Sequence, residues 1–306
     1  MPRRRSRLAQ WLMATLSIGF GLIAGWLPLR FGTAIGRRLG SAAYYLVPRI
    51  RRTGLANLDL AYGDALSPRD KVRILKRATE NVGIVVAEMA HIPRVFPGHT
   101  DEVVTLEGFE QIDKTRGAVA VSAHLGNWEW LAPAAASHGF KLAGVVRPLR
   151  QPKLDAFVDR TRRAGNILTI PKDQAGPEVV RLLGEGYIVG LLIDQNPRRN
   201  ATRARFFGRE TWATIGPALA AARARVPVYA VSMIRGGGGR YTLRLESEIP
   251  MARTGDLRSD LAENTQRCQD AIEKLVRAHP EQWLWLHRRW KPRPHLESGN
   301  TRDGSA

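Results

Sequence analysis

The chain has 306 residues, 44% of them hydrophobic, with 47 Lys+Arg against 28 Asp+Glu and a net charge of +19. That length and apolar share suit one large domain or two small ones, and exclude collagen, low-complexity disorder and a disulfide scaffold. A single cysteine, Cys268, leaves no disulfide framework and no cysteine metal cluster, which fits a reducing compartment.

Ten arginines (3, 4, 5, 7, 30, 37, 38, 49, 51 and 52) precede the first acidic residue, Asp59. Such a cluster calls for an anionic partner: nucleic acid, anionic lipid or an acidic protein. From Leu8 to Leu29 no charged residue occurs, and Trp11 and Trp26 stand near the two ends. That run is long enough to cross a hydrocarbon core of about 30 Å. Tryptophans favour the headgroup level. A retained membrane helix is the reading adopted, against a cleaved signal peptide or a buried soluble helix; no small-residue cleavage site reads cleanly near Ala24-Gly25. Arginines on both sides leave open whether the helix spans or dips into one leaflet. Phe31 to Val47, with Arg37 and Arg38 among apolar residues, suits an anionic interface. Much of the charge thus flanks a greasy segment, which argues for membrane and against nucleic acid. A non-enzymatic basic protein is the remaining alternative of another class.

Ser67-Pro68 reads as an N-cap with proline in the first turn, opening a helix to about His91. Strands are expected at 103–108, 118–124, 142–147, 167–170, 187–194, 226–234, 241–247 and 283–287. Helices are expected at 109–116, 127–138, 151–164, 176–185, 214–225 and 257–278. Residues 195–209 read as an Arg-rich loop and Gly236–Gly239 as a hairpin turn. Alternating strands and helices with near-continuous apolar strands predict an α/β fold with a mostly parallel sheet.

Ligands in such sheets bind at the carboxyl ends of strands. His124, Arg147 and Asp194 each end an apolar run. In the segment His124-Leu125-Gly126-Asn127-Trp128-Glu129 a histidine ends a buried strand and a carboxylate follows five residues later. An imidazole is a natural general base near neutral pH, and a carboxylate can fix its tautomer. The bland alternative is a capping histidine with a surface glutamate.

This segment resembles the His-x4-Glu motif of bacterial lipid A late (lauroyl/myristoyl) acyltransferases, in the lysophospholipid acyltransferase superfamily. Val146-Arg147-Pro148, Ile193-Asp194-Gln195, Phe206-Phe207-Gly208-Arg209 and Trp285-Leu286-His287-Arg288-Arg289-Trp290-Lys291 follow in the family's order. The resemblance implies a glycerolipid acyltransferase-like sheet flanked by helices. It implies acyl transfer from acyl carrier protein or acyl-CoA to a hydroxyl of an anionic lipid, at the cytoplasmic face of the inner membrane. A lysophospholipid or another phosphoglycolipid is the alternative acceptor. His124 takes the hydroxyl proton, Glu129 orients it, and Asp194 is a second carboxylate candidate. Arg147, Asn127, Gln195, Arg209, Arg288 and Arg289 form the expected substrate-binding set. No cofactor, metal or nucleic acid is implied, and Cys268 is expected in the core. The domains are expected as a basic segment and membrane helix (1–30), a catalytic domain (31–295) and a flexible tail (296–306).

Overall fold

The structure is a computed structural model. It describes residues 21–96, 98–149, 151–172 and 175–297, together with Thr15, Ile18 and Gly19. Residues 1–14, 16, 17 and 20 of the expected basic segment and membrane helix, and residues 298–306 of the expected tail, lie outside the described residues. No helix among the described residues is long and apolar enough to cross a membrane. Residues 21–26 are helical, but the run breaks at Leu27 and Pro28. Proline drives the residue before it out of the helical region, so the expected continuous helix to Leu29 is interrupted there.

Helix α1 (Leu29–Leu46) follows that break, then α2 (Pro48–Tyr62) and α3 (Pro68–Met89). The expected cap of α3 is present: Asp70 N–H donates to Ser67 Oγ at 3.1 Å. Two single-turn helices lead to β1 (Val104–Glu107) and β2 (Ala118–Ser122). There follow α4 (Leu131–Ser137), β3 (Leu142–Val146), α5 (Pro152–Arg163), β4 (Ile167–Pro171), α6 (Ala175–Gly184) and β5 (Ile188–Leu192). A hairpin, β6 (Ala201–Phe206) and β7 (Arg209–Thr214), precedes α7 (Gly216–Ala224), β8 (Val228–Arg235), β9 (Tyr241–Glu248) and α8 (Leu257–Ala278).

Seven strands form the main sheet in the order β1-β9-β8-β2-β5-β3-β4. Only the β8–β9 pair is antiparallel; every other neighbouring pair is parallel. Side chains of one strand alternate between faces, so β2 serves two cores. Val119 and Val121 pack with Val189, Ile272 and Val276 on one face. Ala118 and Ala120 pack with Trp130, Met233 and Leu243 on the other. Helices cover both faces, which is why β2 reads as a continuous apolar run.

Three expected elements differ. Residues 109–116 contain only a turn of 3-10 helix at Phe109–Gln111. The Arg-rich stretch is largely an antiparallel hairpin, with Arg203 and Arg205 exposed and Ala204 and Phe206 buried between them. Residues 283–287 form no strand; they make one isolated bridge, Leu125 to Trp283, then pass through a turn at Trp285 and Leu286, an irregular strap beside the turn that follows β2.

Candidate active site

Strands β2 and β5 are parallel neighbours, with Ser122 paired to Leu192. His124 and Asp194 each lie two residues beyond that pair, so the register brings them level at the carboxyl edge. His124 Nδ1 donates to Asp194 Oδ1 at 2.8 Å. Asp194 Oδ2 accepts from the His124 backbone N–H at 3.0 Å and from Trp283 Nε1 at 2.8 Å. The carboxylate is 2% exposed and the imidazole 18%. Trp128 packs edge-on to the imidazole, ring centres 5.4 Å apart. With Nδ1–H committed to Asp194, Nε2 is the acceptor nitrogen, and Gln195 Nε2 sits 3.3 Å from it.

The electrostatics match this arrangement. Burial raises the Asp194 carboxyl, but the His124 charge and three hydrogen bonds overcome it and hold the group at about 2. Burial lowers His124, and the Asp194 charge and hydrogen bond, with Glu129 farther off, carry it above its ordinary 6.5. The pair can therefore keep its carboxylate ionised while the imidazole gains and loses a proton.

Glu129 does not hydrogen-bond to His124. Its carboxylate makes a two-point ion pair with Arg162 of α5: Nε to Oε2 at 3.0 Å and Nη2 to Oε1 at 2.8 Å. Arg162 has no counterpart in the sequence expectations. It is one of three arginines at the end of an amphipathic helix, and nothing in that pattern distinguishes it from Arg160 or Arg163.

The turn between β2 and α4 is clamped from beneath. Gly126 adopts φ +59°, and a Cβ there would overlap the Met233 carbonyl. Its own carbonyl accepts from Asn81 Nδ2 at 2.9 Å. Asn127 N–H donates to Met233 O at 2.9 Å, and its side-chain amide to Glu88 at 2.8 Å. Glu88 is 1% exposed and ion-paired to Arg235, whose Nη2 lies 3.0 Å from Oε2; Tyr241 also donates to it. Burial pushes the Glu88 carboxyl up to about 7 despite Arg235.

The remaining expected site residues are scattered. Asn127 is fully buried, serving Glu88 and capping Trp130 N–H. Arg289 is fully buried: it donates to Thr211 Oγ1, Trp212 O and Gln269 Oε1. Arg209 is exposed on the β6–β7 hairpin and donates to Leu60 O. Arg288 is exposed beside Arg289. His287, from the same motif, accepts from Asn196 N–H at Nε2, and burial lowers it to about 4. Arg147 is exposed at the end of β3. It acts on two cations missed in the sequence. Burial, then Arg147, lowers Lys172, which follows β4. Burial, then Arg198 and Arg147, lowers Arg293, whose guanidinium is held by Asn196. No described carboxylate forms an ion pair with Arg147, Lys172 or Arg293. Cys268 is 1% exposed, and burial pushes its thiol up to about 12, which suits a core residue and not a nucleophile.

A sequence profile of bacterial lipid A biosynthesis acyltransferases matches residues 2–292. The chain belongs to that family. It is 23% identical over 289 residues to the lipid A biosynthesis palmitoleoyltransferase of Escherichia coli (strain K12), covering 92% of each chain. The same identity and coverage hold for a lipid A biosynthesis acyltransferase of Shigella flexneri. Among solved structures it matches the 1-acyl-sn-glycerophosphate acyltransferase PlsC of Thermotoga maritima, at 17% identity and a TM-score of 0.37. That match covers 79% of this chain and 97% of that one. This lipid A family member is an acyltransferase, and its chemistry is acyl transfer to lipid.

Proposed function

We propose that the enzyme moves a fatty acyl chain from acyl carrier protein or acyl-CoA to a hydroxyl of a lipid A precursor, with His124 and Asp194 as the catalytic pair. The observation that carries this reading is the Asp194–His124 hydrogen bond, which leaves Nε2 as the accepting nitrogen. His124 Nε2 takes the proton of the acceptor hydroxyl. The oxygen attacks the thioester carbonyl, an ester C–O bond forms, and the C–S bond breaks. The departing thiolate recovers the proton from the imidazolium. Asp194 fixes the tautomer and stabilises the imidazolium. Glu129 acts through Arg162 as a positioning group for the same turn.

Arg147, Lys172 and Arg293 suit a phosphate of the acceptor. Like charges gathered without a described carboxylate favour an anionic ligand, and guanidinium forks match phosphate oxygens. Asn196, which holds Arg293, is two residues from Asp194, so this cluster adjoins the catalytic pair. The enzyme works at the cytoplasmic face of the inner membrane.

The test is transfer by the purified full chain, read by mass spectrometry. Acyl carrier protein and CoA thioesters are offered in turn, with a lipid A precursor and with lysophosphatidic acid. The precursor gains one acyl group, and His124→Ala abolishes the gain. Acylation of lysophosphatidic acid alone overturns the acceptor, and a folded, fully active His124→Ala protein overturns the mechanism.

A further inference from the structure

A buried carboxylate must have its oxygens satisfied, and the direction of each donor fixes how the group is turned. Three hydrogen bonds reach the Asp194 carboxylate among the described residues. Two come from His124 itself: Nδ1 to Oδ1 and the backbone N–H to Oδ2. The third, Trp283 Nε1 to Oδ2 at 2.8 Å, comes from outside the pair. The bonds from His124 tie the two residues to each other. The indole bond alone ties the carboxylate to the rest of the protein.

The strap holds that indole in place by its backbone and by its packing. Leu284 N–H donates to His124 O at 3.0 Å, and Gln282 O accepts from Gly126 N–H at 3.2 Å. Between those two bonds Trp283 forms its bridge with Leu125. The ring is 1% exposed, edge-on to Trp285 at 4.5 Å between centres and tilted against Phe206 at 5.8 Å. An indole N–H donates and cannot accept, so it steadies a carboxylate without competing for the proton that moves between base and substrate. Trp285 provides the comparison. It is buried in the same aromatic cluster, but its Nε1 donates to Pro280 O at 2.7 Å. Packing asks the same of both rings, and only Trp283 aims its N–H at Asp194.

We propose that Trp283 is a positioning residue for acyl transfer: its indole N–H holds Asp194 Oδ2, so that Oδ1 stays turned to His124 Nδ1. The proposal rests on the reading of His124 and Asp194 as the catalytic pair. It has an electrostatic consequence. The positive end of the N–H dipole tempers the carboxylate charge, and without it Asp194 would hold the imidazolium more tightly. His124 also faces Gln195 at Nε2 and Trp128 at its edge, with Glu129, Arg162 and His287 farther off. All of these are unchanged when Trp283 alone is altered.

The test compares the full chain with Trp283→Phe, with Trp285→Phe, and with benzothienylalanine placed at position 283. That analogue keeps the two-ring shape and carries sulfur where tryptophan carries N–H, so it decides the matter even if Trp283→Phe fails to fold. Steady-state transfer is followed across pH with the thioester and acceptor that the wild type uses. The analogue should lower kcat by about tenfold or more, the scale of one hydrogen bond to a charged group, and leave both KM values unchanged. Its pH limb should lie higher than that of the wild type. Trp285→Phe, at a temperature where it is folded, should keep the wild-type kcat and limb. A wild-type kcat in the analogue, a loss confined to KM, or a limb left in place overturns the proposal. So does an equal loss in Trp285→Phe, which would show that ring packing is what matters. His124→Ala is run beside them. If it is folded and fully active, the catalytic reading itself fails; if it is inactive while the analogue is fully active, only the role of Trp283 fails.

Discussion

His124 has one ring nitrogen committed to Asp194 and the other turned to Gln195, so the protein has already chosen the tautomer that a general base needs. The raised pKa of His124 sets the sign of the pH response. Only the neutral imidazole accepts a proton, so kcat/KM should climb along a limb lying above pH 6.5. Asp194→Asn removes the largest influence raising that pKa and leaves burial, which lowers it. The limb should move to lower pH while the plateau falls by about 10²–10⁴. The same pair marks the stability curve. The Asp194 contribution is present above its unfolded value near 3.8 and lost as pH falls through about 2. That of His124 is full below 6.5 and lost as pH rises through its folded value. The stability gap between wild type and Asp194→Asn, read by chemical denaturation, should therefore be widest between about pH 4 and 6.5.

Glu129 makes a different demand. It and Arg162 form one unit, so Glu129→Ala and Arg162→Ala should each lower activity, and the double variant should be little worse than either. A double-mutant cycle should return a coupling of about 0.5–3 kcal/mol. Additive losses would mean that Glu129 acts on His124 without Arg162. Both carboxylates, Asp194 and Glu129, were legible as residue types at strand and helix ends. Which one meets the imidazole was not, because that depends on the β2–β5 register, and the adjacency of those two strands is a matter of topology and not of local pattern.

At the scale of elements, the strand-to-helix turn after β2 is where local backbone chemistry decides the site. Two features require glycine at position 126: its φ of +59° and the Met233 carbonyl packed against its Cα. Gly126→Ala should cost more than the roughly 1–3 kcal/mol of left-handed strain alone, since the overlap adds to it. Thermal unfolding and activity should fall together. An unchanged melting temperature would show that the turn relaxes freely. Most helices and sheet strands were legible because their apolar spacing is regular. The β6–β7 hairpin was not, since alternating arginines read as a solvated loop when the buried partners are only Ala204 and Phe206. The strap at 283–287 was misread for the opposite reason. Its tryptophans look like a strand, yet they hold single polar atoms, as Trp283 does for Asp194, and pair with no continuous neighbour.

Over the whole molecule, most of the described cations lie at the surface, but Arg289 is buried. The sequence cannot separate it from Arg288, because two adjacent arginines in an aromatic segment differ only in which way the strap turns them. Arg289 points into the core, and burial lowers it to about 10, so it stays charged near neutral pH. Its partners are Thr211, Trp212 and Gln269, which links the β6–β7 hairpin to α8. Arg289→Ala should strand those buried acceptors at about 1–3 kcal/mol each and leave a cavity besides, for a loss of several kcal/mol in denaturant titration. Arg288→Ala, on the exposed side of the same strap, should change stability by no more than about 0.5 kcal/mol. If Arg289 instead bound substrate, Arg289→Met would raise KM for the acceptor at a temperature where the variant is folded. With its guanidinium spent inside the protein, KM there should match the wild type while the unfolding midpoint falls.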